Sequence, residues 1–115
     1  MNWLSLTTEE QLEEIDKRSF ASDIQGVLLF KHSTRCSISS MALNRLDRNL
    51  KQSGSLPVYL LDLLDYRSVS QQIALRYEIE HESPQILIIK NGKCIYHASH
   101  SEITASAIEA VIFNN

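Results

Sequence analysis

The chain has 115 residues, and this length predicts a single domain over residues 1–115. Hydrophobic residues make up 43% of the chain and charged residues 22%, which is typical of a globular protein and excludes a disordered one. The net charge of −3 argues against a generic nucleic-acid binder, and no apolar run approaches the length of a membrane span.

The first residues and the cysteine count bear on localisation. The first residues do not show a basic segment followed by an apolar core, so we predict no secretory signal. Two cysteines in such a chain suit a reducing compartment better than a disulfide scaffold. We therefore expect a cytoplasmic protein with neither a nucleic-acid nor a membrane partner.

The first predicted element is a helix that begins near Thr8. Thr7 or Thr8 can cap this helix, with Glu10 or Gln11 as the capping-box partner. An unbroken apolar run over 27–30 then predicts a strand that is buried on both faces.

A second helix follows Cys36, because apolar residues there recur at helical spacing. We expect it to end near Gln52, Ser53 and Gly54, since glycine is a favourable helix stop.

A second buried strand is predicted over 58–61, and a third helix over 66–77. Asp65 and Ser68 are both suitable N-caps for this third helix, and the sequence does not choose between them.

Two further strands are predicted over 86–89 and 94–97. The Asn91-Gly92 pair between them is the two-residue turn that joins antiparallel strands. A last helix is expected to start around Ser101 or Thr104.

The order of these elements predicts an α/β fold. A strand–helix–strand unit requires parallel strands, and the final hairpin adds an antiparallel pair. We therefore expect a mixed central sheet of about four strands between two helical layers, which resembles the thioredoxin-like arrangement. That fold has a reactive thiol after its first strand and a proline before its third, and Cys36 and Pro84 occur in that order.

Cys36 is the candidate nucleophile because it lies where a buried strand meets a helix. Free backbone N–H groups and the dipole at a helix start favour an anion, and the thiolate is the reactive form of cysteine. A lone cysteine is more often a small core residue. The position at the helix start, the neighbouring Arg35 and the presence of Ser39 three residues on favour the nucleophile here.

The segment from Phe30 to Ser39, Phe-Lys-His-Ser-Thr-Arg-Cys-Ser-Ile-Ser, together with Ser83-Pro84-Gln85, resembles the monothiol bacilliredoxin family. The resemblance covers nearly the whole chain, and the five residues Phe-Lys-His-Ser-Thr are its specific part. The family pattern has Thr-Cys-Pro-Ile-Ser or close variants, and Ser37 stands here in place of the proline.

The resemblance implies a monothiol thiol–disulfide oxidoreductase with Cys36 and Ser39 as the catalytic pair. It implies that a low-molecular-weight thiol is removed from client proteins through a mixed disulfide on Cys36. Ser39 is expected to hydrogen-bond the thiolate, and the alternative is a plain polar residue of the first helical turn. No bound cofactor is expected; bacillithiol or a similar thiol is the co-substrate. The alternative function is a redox-inactive thioredoxin-like module that binds proteins.

A substrate-binding surface is implied around the thiol, made by Lys31, His32, Thr34, Arg35, Ser83 and Pro84. Lys31 and Arg35 are expected to flank the thiol with positive charge that suits the two carboxylates of bacillithiol. The Ser83–Pro84 bond is implied to be cis, with the Ser83 backbone turned toward Cys36. His32 either tunes the thiol or points to solvent.

The second cysteine, Cys94, is expected to be structural. The predicted topology places it at the far edge of the sheet, on the order of 15–20 Å from Cys36. A disulfide needs Cα atoms within about 7 Å, so no internal bridge is predicted. No histidine or cysteine spacing resembles a metal site. The expected partners are S-thiolated client proteins and the small thiol, bound by a monomer or weak dimer.

Overall fold

A computed structural model of the chain describes residues 1–51 and 53–113. The strands and helices follow one another along the chain in this order: β1 (Leu4–Ser5), α1 (Glu10–Ser19), β2 (Val27–His32), α2 (Ser37–Asn49), β3 (Val58–Asp62), α3 (Arg67–Tyr77), β4 (Gln85–Lys90), β5 (Lys93–Ser99) and α4 (Ala105–Phe113). A short 3-10 turn, His100–Glu102, precedes α4. None of the helices in the described part of the chain is long and apolar enough to cross a membrane.

The strands form one mixed sheet in the order β1-β3-β2-β4-β5. β1, β3 and β2 run parallel, while β4 and β5 are antiparallel to their neighbours. The mixed α/β arrangement is confirmed, but the sheet has five strands where about four were expected. The additional strand, β1, is only two residues long and pairs Leu4 with Tyr59 at one edge.

Strand β2 lies at the centre of the sheet, and all six of its residues are buried. Its side chains alternate between two hydrophobic clusters. Leu28 and Phe30 belong to the cluster shared with α2 and α4, whereas Val27 and Leu29 belong to the one shared with α1 and α3. The sheet is therefore the middle of three layers.

Helix α1 begins with the predicted capping box. The backbone N–H of Thr8 donates to Oε1 of Gln11 at 3.0 Å, and the N–H of Gln11 donates to Oγ1 of Thr8 at 3.4 Å. The expectation for α3 is wrong, because neither Asp65 nor Ser68 caps it and Tyr66 precedes it without a side-chain cap. The turn before α3 is held by Asp62, whose carboxylate accepts the N–H of Leu64 at 3.1 Å.

Two helix boundaries differ from the sequence expectation. α2 ends at Asn49, earlier than predicted, since Leu50 turns to an extended conformation and is buried. Gln52, at the predicted end, lies outside the described residues. The alternative starts of α4 are resolved in favour of Thr104, whose hydroxyl accepts the N–H of Ala107 at 3.3 Å.

The β4–β5 hairpin has the predicted two-residue turn. Asn91 and Gly92 have φ angles of 54° and 74°, as a type I′ turn requires. This end of the sheet lies opposite to the one that carries Cys36.

Candidate active site around Cys36

Cys36 lies between the end of β2 and the first residue of α2. Its backbone is extended, with φ −107° and ψ 118°. Its N–H donates to the carbonyl of Ser33 at 3.1 Å, and its own carbonyl accepts the N–H of Ser40 at 3.1 Å, which is the first bond of the helix. The thiol is free and partly exposed. It therefore lies beside the unpaired N–H groups of the first helical turn.

The loop before Cys36 presents Thr34 and Arg35 to solvent. Both line a polar cleft of about 280 Å³ that also contains Asp62, Asp65 and Arg67. Within residues 1–51 and 53–113, neither Thr34 nor Arg35 has a hydrogen-bond or ion-pair partner. Two of the six predicted binding residues are thus available to a ligand next to the thiol.

Ser39 is completely buried on the inner side of α2. Its Oγ lies 2.6 Å from Nδ1 of His32 and accepts the N–H of Ser33 at 3.0 Å. Burial lowers the pKa of His32, although Asp62 acts in the opposite direction, so we assign a neutral ring, whose tautomer decides which of the two atoms donates. The expected hydrogen bond from Ser39 to Cys36 is not formed in the structure, where the hydroxyl contacts His32 and Ser33 inside the core.

His32 points into the protein, which decides between the two orientations that the sequence left open. The ring is 7% exposed and makes an edge contact with Phe30 at a centroid distance of 5.9 Å. Phe30 in turn packs against Trp3 at 5.8 Å. His32 therefore supports Ser39 and the start of α2 from below.

Lys31 lies on the other face of β2, toward α3. Its side chain is completely buried, and Nζ lies 3.2 Å from Nδ1 of His81. Burial lowers the pKa of Lys31 to about 8. The expectation that Lys31 flanks the thiol with positive charge is wrong, because its buried side chain contacts His81. Because β2 continues to His32, its side chains still alternate between the two faces of the sheet at position 31. The Lys31 side chain therefore lies on the same face as Leu29, beneath α3.

Ser83 and Pro84 lie beside the loop that carries Cys36. The bond between them is cis, as the resemblance implies. Gln85 pairs with Lys31 in antiparallel register, so the two preceding residues continue alongside the end of β2. Pro84 is buried and its carbonyl accepts the N–H of His100 at 3.2 Å.

The polar groups of Ser83 are free. Its hydroxyl is buried without a hydrogen-bond partner. Among the described residues, its backbone N–H and carbonyl also have none. A segment placed along Ser83 would find an unused donor and acceptor there.

Cys94 is remote from this site, as expected. It pairs with Ile89, which pairs with Val27 at the start of β2, whereas Cys36 follows the end of that strand. Its Sγ donates to the carbonyl of Tyr96 at 3.2 Å, and burial raises the pKa of its thiol. The two cysteines are not bridged.

Arg67 and Asp62 were not identified as site residues from the sequence. Both line the cleft beside Thr34 and Arg35. The signal for them is topological, because β2 and β3 are parallel and their carboxyl ends meet at the same edge of the sheet. No group of three or more potential metal ligands occurs in the part of the chain that the structure describes.

Comparison with known proteins identifies the fold and the family. A proposed oxidoreductase with a thioredoxin fold is 26% identical, with a TM-score of 0.78 over 94% of this chain and 91% of that one. Thioredoxin from Trypanosoma brucei brucei is 12% identical, with a TM-score of 0.74 over 98% and 89%. Thioredoxin from Malassezia sympodialis is 14% identical, with a TM-score of 0.72 over 98% and 90%, and like the preceding one it supports the fold alone.

The family assignment rests on nearly the whole chain. Residues 4–108 match the family model described as monothiol bacilliredoxin BrxC. The range contains Cys36 and the Ser83–Pro84 turn, as well as every strand of the sheet. With the thioredoxin fold, this match supports a thiol oxidoreductase-like role. The chain belongs to the monothiol bacilliredoxin BrxC family.

Proposed function

We propose that the protein is a monothiol thiol–disulfide oxidoreductase that removes a low-molecular-weight thiol, bacillithiol or a similar one, from mixed disulfides on client proteins. Cys36 is the nucleophile. The proposal is carried by one observation: Cys36 is the only thiol at this edge of the described sheet, since Cys94 lies toward the opposite end.

The reaction consists of two exchanges. The Cys36 thiolate attacks the small-thiol sulfur of the mixed disulfide, and the client leaves as a thiolate that takes up a proton. A second molecule of the small thiol, as its thiolate, then attacks the adduct on Cys36. That step releases the small thiol as its symmetrical disulfide and returns Cys36 as a thiolate.

Ser39 acts as a positioning residue in this proposal. Serine cannot form the second disulfide that a dithiol protein uses to expel its client. Because its hydroxyl contacts His32 and accepts the N–H of Ser33, Ser39 stabilises the start of α2 instead of contacting the sulfur. Resolution of the adduct must therefore come from an external thiol.

The ligand is held between Ser83 and the loop at Thr34 and Arg35. The free backbone groups of Ser83 support pairing with the peptide-like part of the small thiol, as in a short added strand. Arg35, which has no ion-pair partner in the described chain, supports recognition of an anionic group. This function needs a reducing compartment, so we propose a cytoplasmic protein that acts as a monomer or weak dimer.

The test is removal of bacillithiol from one S-bacillithiolated client protein, followed by mass spectrometry of both partners. We expect the Cys36→Ser variant to be inactive and the Cys94→Ser variant to retain nearly full activity. The wild-type protein should carry the small-thiol adduct on Cys36 during turnover. Equal loss in both variants would overturn the one-cysteine mechanism. Client binding without thiol release would instead favour the redox-inactive binding module.

A further inference from the structure

A second cleft lies next to the cleft that Thr34 and Arg35 line, on the α3 side of the sheet. It has a volume of about 290 Å³ and is lined by Leu63, Arg67, Ser70, Gln71 and His81. Arg67 lines both clefts, so the two adjoin at its side chain. The second cleft is therefore connected to the loop of Thr34 and Arg35 that leads to Cys36.

Four of the five residues that line this cleft carry a polar group, Arg67 is the cationic one and none is acidic, although most of the lining surface is apolar. Arg67 is exposed and has no hydrogen-bond or ion-pair partner among the described residues. The two acids near it, Asp62 and Asp65, line the adjoining cleft and form no ion pair with Arg67. The guanidinium is free to receive an anion.

The buried Lys31 contacts His81, one of the residues that line the second cleft. Nζ of Lys31 and Oγ of Ser70 lie 3.2 Å and 3.3 Å from the same atom, Nδ1 of His81. Because the Lys31 ammonium can only donate, Nδ1 of the neutral ring accepts and the ring proton lies on Nε2, where it is a further donor. Burial and the Lys31 charge both lower the pKa of His81, in keeping with a neutral ring.

The charge of Lys31 is not compensated within the described part of the chain. No carboxylate lies within ion-pair distance of its nitrogen, and its one side-chain partner is the imidazole of His81. A buried ammonium is normally paired with an acidic group, because its transfer out of water is otherwise costly. The missing counter-charge is a negative one.

We propose that the cleft of Arg67 and His81, backed by the charge of Lys31, is a subsite for a carboxylate group of the small thiol that Cys36 exchanges. Arg67 binds the carboxylate with its two-pronged guanidinium, and Nε2 of His81 donates a further hydrogen bond. Lys31 does not touch the ligand and acts through its fixed charge. This subsite rests on the proposed function, since it names the part of the substrate that selects this protein.

The lysine links carboxylate binding to pH. Its nitrogen contacts His81 from the loop before β4, and Ser70 of α3 contacts the same ring atom, so His81 is the titrating group at this contact. Glu82, next to His81, raises the pKa of that ring and opposes the other effects. As the pKa of Lys31 is about 8, its charge is lost above that pH, and carboxylate binding should weaken there.

The first experiment measures binding to the cleft without chemistry at the thiol. The Cys36→Ser protein is titrated with succinate, and in parallel with inorganic phosphate, while the side-chain NMR signals of Arg67 and His81 are followed. We expect saturable shifts with succinate that weaken from pH 7 to pH 9. Arg67→Gln should bind about tenfold more weakly, as for the loss of one charge-assisted hydrogen bond. The matched control Arg48→Gln, on the exposed face of α2, should bind as the parent does.

The possible results distinguish a carboxylate site from a general oxyanion site and from no site at all. Equal shifts with phosphate and succinate would mean a general oxyanion site and would overturn the assignment to a carboxylate. An absence of saturable shifts, or shifts that Arg67→Gln leaves unchanged, would overturn the subsite itself. The Lys31→Met variant should remove the pH dependence while retaining part of the binding.

The second experiment tests whether occupation of the cleft affects thiol release by Cys36. Succinate should compete with release of bacillithiol by the wild-type protein, and should not compete with release of the uncharged thiol mercaptoethanol from the same client. Competition should be lost in Arg67→Gln. If neither thiol is released by Cys36, the proposed function fails. If both are released and succinate has no effect, the function stands and the subsite is overturned.

Discussion

The hydroxyl of Ser39 lies 2.6 Å from Nδ1 of His32, and this contact joins the first turn of α2 to the last residue of β2. Both residues are buried, and both stand within four residues of Cys36 in the chain. The serine at position 39 thus has a structural role, and a cysteine in its place would lose these hydrogen bonds. Replacement of Ser39 by a second thiol would therefore change packing in the core as well as the chemistry proposed for Cys36.

We predict that Ser39→Ala destabilises the protein by about 1–3 kcal/mol, because Nδ1 of His32 and the N–H of Ser33 each lose a buried partner. Urea unfolding would measure the change. Ser40→Ala is the matched control, since it makes the same substitution one residue on and removes no hydrogen bond of a described side chain. A loss equal to that of the control would show that the Ser39–His32 bond contributes nothing to stability.

We predict that Lys31→Met stabilises the protein at pH 7. Burial lowers the pKa of Lys31 from its ordinary value of 10.5 to about 8, which corresponds to about 3 kcal/mol as an upper bound on the cost of the charge. Methionine has a similar length and carries no charge, so the side chain can still fill the space beneath α3.

The pH dependence of this effect has a definite sign. Between pH 8 and 10.5 the unfolded chain keeps the Lys31 proton and the folded protein loses it, so wild-type stability rises with pH. The advantage of Lys31→Met should therefore be complete below pH 8 and should fade toward pH 10.5. Unfolding midpoints at a series of pH values would measure it, and parallel curves for the two proteins would contradict the assignment.

We predict that Ser37→Pro increases stability by about 0.5–1 kcal/mol. Ser37 is the first residue of α2, where proline is favoured and loses no helical hydrogen bond. The residue before it, Cys36, already has the extended backbone that a following proline requires, with φ −107° and ψ 118°. Thermal unfolding would measure the gain, and Ser40→Pro, inside the helix, should instead cost about 3 kcal/mol.

We predict that iodoacetamide modifies Cys36 before Cys94 in the folded protein. Burial raises the pKa of the Cys94 thiol, so less of it is thiolate at a given pH, and its Sγ also donates to the Tyr96 carbonyl. Peptide mass spectrometry after timed labelling at pH 7.5 would give the two rates. In urea the two rates should converge, whereas equal rates in the folded protein would mean that Cys94 is more open than the structure indicates.

The main elements of the fold follow from the sequence because their signals are local. The buried run over 27–30, the capping box at Thr8 and the Asn91-Gly92 turn each have a short-range physical cause, and each is found in place. β1 was not predicted, because two residues are too few to show a strand periodicity. The cap expected for α3 is absent, and Asp62 at the end of β3 holds the preceding turn instead.

The site could be predicted only in part. The position of Cys36 could be predicted, because the sequence pattern changes there from that of a strand to that of a helix. The Lys31 side chain points into the protein because β2 continues two residues beyond its apolar run. Polar residues at these two positions hide that continuation from a sequence-based prediction. The contact of Lys31 with His81 joins positions 50 residues apart, so no local pattern reports it.

The packing of Trp3 has a consequence for experiments on this protein. It is the only tryptophan in the chain, its ring lies 5.8 Å from that of Phe30, and its Nε1 donates to Asp47 of α2 at 2.8 Å. Ultraviolet emission from this one indole therefore reports whether the N-terminal segment is docked on the sheet and α2. Together with far-ultraviolet circular dichroism, it distinguishes loosening of that segment from unfolding of the whole molecule without any attached dye.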